Sequence, residues 1–247
     1  MCVIPKIGGD MSQQNIKENL LNWNKFDRYS KWMFHMYEKH IGEKILDIGG
    51  GIGTAISYYI TEDRQILTTE LFNDKVEIMN EKFKKYENFQ AICLDIVKDD
   101  FSCYEKFDTI ILVNVLEHIE NDTLLLKKLK NLLSDNGKII ICVPALNCLY
   151  CYMDKNVGHY RRYNKKELHN KATEAGLNVV ENKYMNILGI IPYYLKGKLS
   201  KNKKGSFSTK TSQNEAKLYS LATAILEPLE KVIKPNIGLS EFIVLSK

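Results

Sequence analysis

The sequence predicts an α/β protein: a doubly wound, mostly parallel sheet of seven strands with an antiparallel last strand, N-terminal helices, and an insert before the last helix and strand. Three observations carry that expectation. A short apolar strand, Ile45 to Ile48, runs straight into the glycine-crowded turn Gly49-Gly50-Gly51-Ile52-Gly53, and the next apolar run ends on an acid, Glu70. Such a sheet shapes a nucleoside pocket in this way at its carboxyl edge. Short apolar runs also alternate with helical-period segments, the pattern of crossover-linked parallel strands. Finally, Phe107 to Asn114 (FDTIILVN) is nearly all apolar, as a central strand covered on both faces must be.

Each element follows from local signals. Residues 15–40 read as helix in two pieces, because Ile16, Leu20, Trp23, Phe26, Met33, Met36 and Tyr37 recur near the 3.6 period, and Ser30 is placed to cap the second piece. After the first strand and its turn, a helix is expected through about Tyr59. Gln65–Glu70 is the second strand, and Asn73 is placed to cap a helix carrying Val76, Met79 and Phe83. Phe89–Leu94 is the third strand and Phe107–Asn114 the fourth. Asp122 is placed to cap a leucine-rich helix that Asp135-Asn136-Gly137 stops. Gly137–Val143 is the fifth strand. Asn164 and Glu167 form a capping-box-like start to a helix ending at Gly176. Leu177–Asn182 is the sixth strand, residues 215–233 the closing helix, and Glu241–Ser246 the last strand. Residues 1–40 read as a helical cap on one domain, 41–247, with a lid-like insert at about 184–214.

The 247 residues, 45% of them hydrophobic, suit one sizeable core better than two. No apolar run is long enough to span a membrane, and the first residues lack a secretory pattern, so a cytoplasmic location is expected. The six cysteines read as reduced, with no zinc site and no metal expected. The formal charge of +5 is local: six lysines and no acid lie between Lys196 and Lys210. No whole-surface basicity argues for nucleic acid. That lysine segment, beside the apolar run from Asn186 to Leu195, is instead suited to a mobile lid or to contact with anionic lipid.

The glycines at 49, 51 and 53, with Gly50 added, allow positive φ and close approach of a ligand. The dinucleotide fingerprint GxGxxG/A breaks, because Thr54 and Ile56 stand where a third glycine belongs, and no GxxxxGK[ST] occurs at the turn. A pocket that need not cradle phosphates can hold an amino-acid tail and a ribose. Glu70 can accept both ribose hydroxyls, Asp95 can accept from an adenine amine, and Asp47 is expected to bind backbone N–H groups or a water near the cofactor amine.

DIGGGIG resembles the [DE]xGxGxG motif of class I S-adenosylmethionine-dependent methyltransferases, which share a Rossmann-like fold. FDTIILVNVLEHIEND and SDNGKIIICVPA resemble the fourth and fifth strand regions of small-molecule members similar to those of ubiquinone biosynthesis, so the resemblance spans roughly Ile41 to Gly176. It implies that Gly49, Gly51, Gly53, Glu70, Leu71, Asp95 and Ile96 bind S-adenosylmethionine and its product S-adenosylhomocysteine, with Asn114 and Val115 lining the pocket. Gly50, Asp47 and Tyr29 join this set from the residues themselves.

For the acceptor, Glu117 and His118 follow the central strand, and His118 has a pKa suited to general-base work. Gly158 to Leu168 (GHYRRYNKKEL) gathers His159, Tyr160, Arg161, Arg162 and Tyr163. Paired arginines suit a carboxylate or phosphate on the acceptor, and His159 or Tyr160 is expected near the methyl-receiving atom. Trp32 and Tyr194 are expected to complete the pocket. The expected reaction is methyl transfer to an oxygen or nitrogen of a small molecule, by a monomer or homodimer. A cofactor-binding scaffold without catalysis and an NAD-linked oxidoreductase are the rivals. A nucleic-acid methyltransferase is disfavoured because NVLE stands where NPPY or DPPY would follow the fourth strand.

Overall fold

The apolar runs become a single sheet in the computed structural model, which describes residues 27–101, 103–199, 221, 223, 224, 226–230 and 232–247. The strands are β1 (Lys44–Ile48), β2 (Gln65–Glu70), β3 (Phe89–Cys93), β4 (Phe107–Val113), β5 (Leu133–Pro144), β6 (Asn178–Met185) and β7 (Ser240–Ser246). Their order is β3-β2-β1-β4-β5-β7-β6. β1 is parallel to β2 and β4, while β7 runs antiparallel to both β5 and β6. The seven-stranded, mostly parallel α/β sheet with an antiparallel last strand is the one expected from the sequence. β1 and β4 lie side by side although their crossovers leave in opposite directions. The crevice between their carboxyl ends is the switch point where such sheets bind ligands.

Two apolar layers cover the sheet. On one face, Leu125, Leu126 and Leu129 of α3 (Asp122–Leu132) and Leu168 and Ala172 of α5 (Lys165–Glu174) pack on Leu46, Ile110, Leu112 and Ile139. On the other, Trp32 and Met33 of α1 (Asp27–His35), and Val76, Met79 and Phe83 of α2 (Asn73–Phe83), pack on Ile45, Ile111 and Phe242. β4 contributes to both layers, as its continuous apolar run requires. Helical residues 226–230 add Leu226 to the second layer.

Several local expectations change. Ser30 is a buried residue inside α1, not its cap. Asn73 and Asp122 are the first residues of their helices rather than caps, and Asn73 bonds Glu77 instead. Asn164 does cap α5, accepting from the Glu167 N–H, but the Glu167 carboxylate accepts from Asn147 in place of the reciprocal bond. α3 ends at Leu132, before Asp135-Asn136-Gly137, because Leu133 already pairs with Phe107. The helix expected after the glycine turn is a run of turns and one short 3-10 segment, Ile56–Tyr58. Glycines keep most conformational freedom unfolded, so a helix would have to nucleate after Gly53, leaving too few residues to repay nucleation. The helical signals at 15–26, most of the lysine segment and the start of the closing helix lie outside the described residues.

Candidate active site

β1 delivers the glycine turn to the crevice, and β2 holds it there: the N–H groups of Gly49 and Gly50 both donate to Thr69 O. The glycines serve different ends. A Cβ on Gly50 would lie 2.3 Å from Thr68 Oγ1 and 2.9 Å from Asp47 Oδ1, and one on Gly49 would lie 2.6 Å from Val115 Cγ2. Both are demanded by the protein's own packing. Gly51 has a φ of 62°, and its Cβ would meet nothing within 4 Å among the described residues. There the backbone turns toward open space, a cradle that a side chain would fill and a ligand can enter. Glu70, nearly buried at the end of β2, aims its carboxylate at this point: Oε2 accepts from Gly51 N–H at 3.0 Å and Oε1 from Leu71 N–H at 2.9 Å. Leu71 and Phe72 stand half-exposed beside it.

Asp47 departs from expectation. It is buried and accepts from two hydroxyls, Tyr59 at 2.5 Å and Thr68 at 2.9 Å, not from backbone N–H groups. Burial raises its pKa to about 6 against the lowering effect of those two bonds. It sets the floor beneath Gly50. Asp95 closes a turn of its own, Oδ1 accepting from Val97 N–H at 2.9 Å, with Lys98 Nζ 3.1 Å from Oδ2, and Ile96 is buried behind it.

Across the crevice β4 is followed by Asn114, a non-glycine residue at φ 53°, whose N–H donates to Cys142 O on β5. This corner turns the chain into the 3-10 segment Leu116–His118. Val115 packs back on Gly49, so the glycine turn and this corner form one wall. Beyond it the chain gathers Glu117, His118 and His159. Their ligand-type atoms all lie within 4.8 Å of one another, and the two imidazoles meet edge to face at 4.6 Å. Glu117 is fully buried, and neither carboxylate oxygen accepts a hydrogen bond from another of the described residues. Burial pushes its pKa to about 8, so it carries a proton at neutral pH. His159 Nδ1 bonds Asp154 Oδ1 at 3.1 Å, and its Nε2 faces Glu117 Oε1 at 3.8 Å. Partial burial of the His118 ring and the neighbouring His159 lower its pKa, so it is neutral near pH 7.

Asp154, in α4 (Tyr152–Asn156), organises this side and was not singled out from the sequence. Besides His159 it accepts from Arg162 Nε at 2.8 Å, Cys151 N–H at 2.9 Å and Tyr193 Oη at 2.9 Å. Burial alone would raise it, but these bonds and the Arg162 charge hold it at about 2. A cysteine followed at the third position by an acid is its one local signal, since Cys151 and Asp154 form a capping box.

The arginines do not act as a pair toward an acceptor. Arg162 is buried, bonded to Asp154 and Ala145 O, and stacked 4.1 Å from the Tyr193 ring centre. Arg161 donates to Asp122 at 2.6 Å and to Glu120 O at 2.8 Å. Both forks are spent on internal partners, which removes the support for an acidic acceptor group. Tyr163 is core, its hydroxyl bonded to Asp122. Trp32 is likewise core, while Tyr29 Oη lies 3.4 Å from Ser240 Oγ. Tyr160 is half-exposed next to the cluster, its N–H donating to Glu117 O. In α6 (Ile190–Tyr194) it is Tyr193, not Tyr194, that reaches the site; Tyr194 is half-exposed to solvent. Cys148 and Cys151 stand at C-x-x-C spacing, which the sequence reading passed over, but both are free thiols with Cys148 exposed. A cleft of about 580 Å³ opens at the opposite, amino edge of the sheet beside Lys44, Asn88 and Glu105. Strand ends of this architecture do not carry chemistry on that edge.

Residues 20–182 match the model of a methyltransferase-domain family. Among curated proteins, the chain is 31% identical over 107 residues to N-methyltransferase 4 of Papaver somniferum, covering 41% of this chain and 30% of that one. It is 30% identical over 89 residues to ribosomal RNA small subunit methyltransferase A of Clostridium botulinum (strain Loch Maree / Type A3), covering 36% and 32%. The chain thus spans about a third of the length of these relatives. Among solved structures, coclaurine N-methyltransferase bound to N-methylheliamine and SAH superposes with a TM-score of 0.60 at 16% identity, covering 88% of this chain and 72% of that one. The [4+2]-cyclase SpnF superposes at 0.58 and 14% identity, covering 90% and 80%. No helix among the described residues is long and apolar enough to cross a membrane. With a family match over more than half its length and the matching sheet order, the chain belongs to the class I S-adenosylmethionine-dependent methyltransferase family.

Proposed function

We propose that this protein transfers the methyl group of S-adenosylmethionine to a nitrogen or oxygen of a small-molecule acceptor. One observation carries the reading. The Gly51–Glu70 cradle and the Glu117–His118–His159 cluster lie on the two sides of a single corner, Asn114–Val115, which Val115 locks against Gly49. Donor and acceptor are thereby held against one rigid wall, and alignment of this kind supplies much of the barrier lowering in a displacement.

The residues fit the cofactor. Gly51 leaves room for it, the Glu70 carboxylate is aimed to accept its ribose hydroxyls, and half-exposed Leu71 offers apolar surface for its base. Bound there, the cofactor supplies a methyl group already activated by its sulfonium. The chain's own task is then to orient the nucleophile and exclude water. The His118 imidazole, neutral near pH 7, can accept a hydrogen bond from the acceptor's N–H or O–H, with His159 and Tyr160 beside it. The N-methyltransferases among the relatives favour an amine nitrogen. The insert also presents Leu188, Ile191, Tyr194 and Leu195 to solvent, and the sequence that follows them is rich in lysine, which suits an anionic lipid surface as the source of the acceptor; co-sedimentation with anionic and neutral vesicles tests this.

The deciding experiment incubates the purified protein with methyl-labelled S-adenosylmethionine and panels of amines and phenols. The expected result is labelled product with stoichiometric S-adenosylhomocysteine. Cofactor binding by calorimetry without transfer to any acceptor would favour the scaffold reading instead.

A further inference from the structure

We infer that Glu117, His118 and His159 form a binding site for one divalent transition-metal ion of the zinc class. The inference goes beyond methyl transfer and stands without it.

The geometry begins with the two imidazoles, which meet edge to face at 4.6 Å. His159 Nδ1 bonds Asp154, whose carboxylate is itself held by Arg162, Cys151 N–H and Tyr193, and its Nε2 is the atom turned toward Glu117. Metal-ligating histidines are oriented in this way, an outer carboxylate fixing tautomer and ring plane. The third member is a fully buried carboxyl group with neither oxygen bonded to another of the described residues, facing His159 Nε2 at 3.8 Å. A buried polar group of this kind calls for a partner, and among the described residues the space between it and the imidazoles is left to a proton or an ion.

Ligand atoms about 2.1 Å from an ion sit roughly 3.0–3.5 Å apart. A separation of 3.8 Å for one pair, and at most 4.8 Å for the whole set, needs only a modest side-chain contraction to close. Two imidazoles and one carboxylate are a borderline donor set that selects zinc, cobalt or ferrous iron over magnesium or calcium. His118 is exposed on one side, so coordination positions remain open toward the crevice. Three protein ligands with an open position are the arrangement of a reactive ion rather than a structural one. In the loaded site the open position would be filled by a water.

The test uses the full chain, stripped with a chelator and freed of any histidine tag, titrated with cobalt(II) and zinc(II). We expect uptake of about one equivalent. The cobalt spectrum should show visible d–d bands without the near-ultraviolet charge transfer of thiolate ligation, which excludes the cysteines. His118→Ala, at an exposed position, and Glu117→Gln should each weaken binding at least about tenfold, with circular dichroism confirming that the variants are folded. No stoichiometric uptake by the parent chain would mean that a proton alone fills the gap, and the site would be rejected. Equal uptake by parent and His118→Ala would reject it as well. Neither result bears on methyl transfer, which is read separately from labelled cofactor.

Discussion

On the β1–β2 side of the crevice the functional groups come from one short stretch, Gly49 to Glu70, and most are bonded to backbone only a strand away. On the β4–β5 side they come from residues 117, 118, 154, 159, 162 and 193, and buried ionisable groups hold them to one another. The first side is a backbone cradle whose key position, Gly51, is defined by a missing side chain. The second is a charge network whose members have few alternatives to each other. Damage to the first should therefore appear in ligand affinity, and damage to the second in stability.

The sharpest way to break this contrast is Arg162→Ala. It leaves Asp154 buried with its counter-charge removed, and removal of one partner from such a pair costs about 3–5 kcal/mol. A large fall in melting temperature is expected, with Lys an incomplete replacement because it cannot reproduce the planar contact with Tyr193. A loss of cofactor affinity at unchanged stability would undo the contrast.

Asp47 provides an exception that sharpens it, being a buried charge on the cradle side. Its pKa is raised from 3.8 to about 6 on folding. The protonated form is thus favoured in the folded state, so its stabilising contribution is full below about pH 4 and is lost as pH rises through 6. One pKa unit corresponds to about 1.4 kcal/mol, so the difference amounts to about 2–3 kcal/mol. Denaturant unfolding at pH 5 and pH 7.5 should show the Asp47→Asn variant gaining on the parent chain at the higher pH. An identical pH dependence in the two would contradict the assignment.

Glu70→Ala removes the acceptor of the Gly51 and Leu71 N–H groups at a cost of about 1–3 kcal/mol, so it should lower the melting temperature less than Arg162→Ala does while weakening S-adenosylmethionine binding about 10- to 100-fold; calorimetry measures the binding. The smallest effect separates two adjacent glycines. Gly51→Ala meets no atoms but must hold a positive φ, at roughly 1–2 kcal/mol, and should lower cofactor affinity more than stability. Gly50→Ala should do the reverse, because its Cβ strikes Thr68 and Asp47. If both variants lost only stability, Gly51 would not be the ligand's position.

The same contrast explains what the sequence disclosed. The cradle was legible because strand, glycine turn and Glu70 are contiguous, and each residue type states its own backbone requirement. The sheet was legible from apolar runs such as Phe107–Val113, down to the antiparallel β7. The charge network was not. Arg161 and Arg162 are adjacent and look like a fork, but Asp122 and Asp154 claim them separately, and nothing local in Tyr152–Asn156 announces that its acid is buried. Likewise His159 stands far along the chain from Glu117 and His118, and only the closing of β4 on β5 makes them neighbours. In Pro192-Tyr193-Tyr194 the choice between two tyrosines depends on which one the insert turns inward.

The strand order has a consequence for how the molecule is made. β6 sits at the sheet edge and pairs with β7 alone, and β7 is inserted between it and β5. A ribosome delivers β6 more than fifty residues before that partner, so until then β5 is the open edge of a half-finished sheet and residues 178–185 have no strand to pair with, the kind of segments that recruit other chains. The first five strands can assemble as they emerge, cradle included. The insert, tied to the acceptor side through Tyr193, can take its place only after β7 arrives. The ability to bind the cofactor should then precede completion of the acceptor side during synthesis, and β7 is the step at which a nascent chain is committed to folding or lost to aggregation.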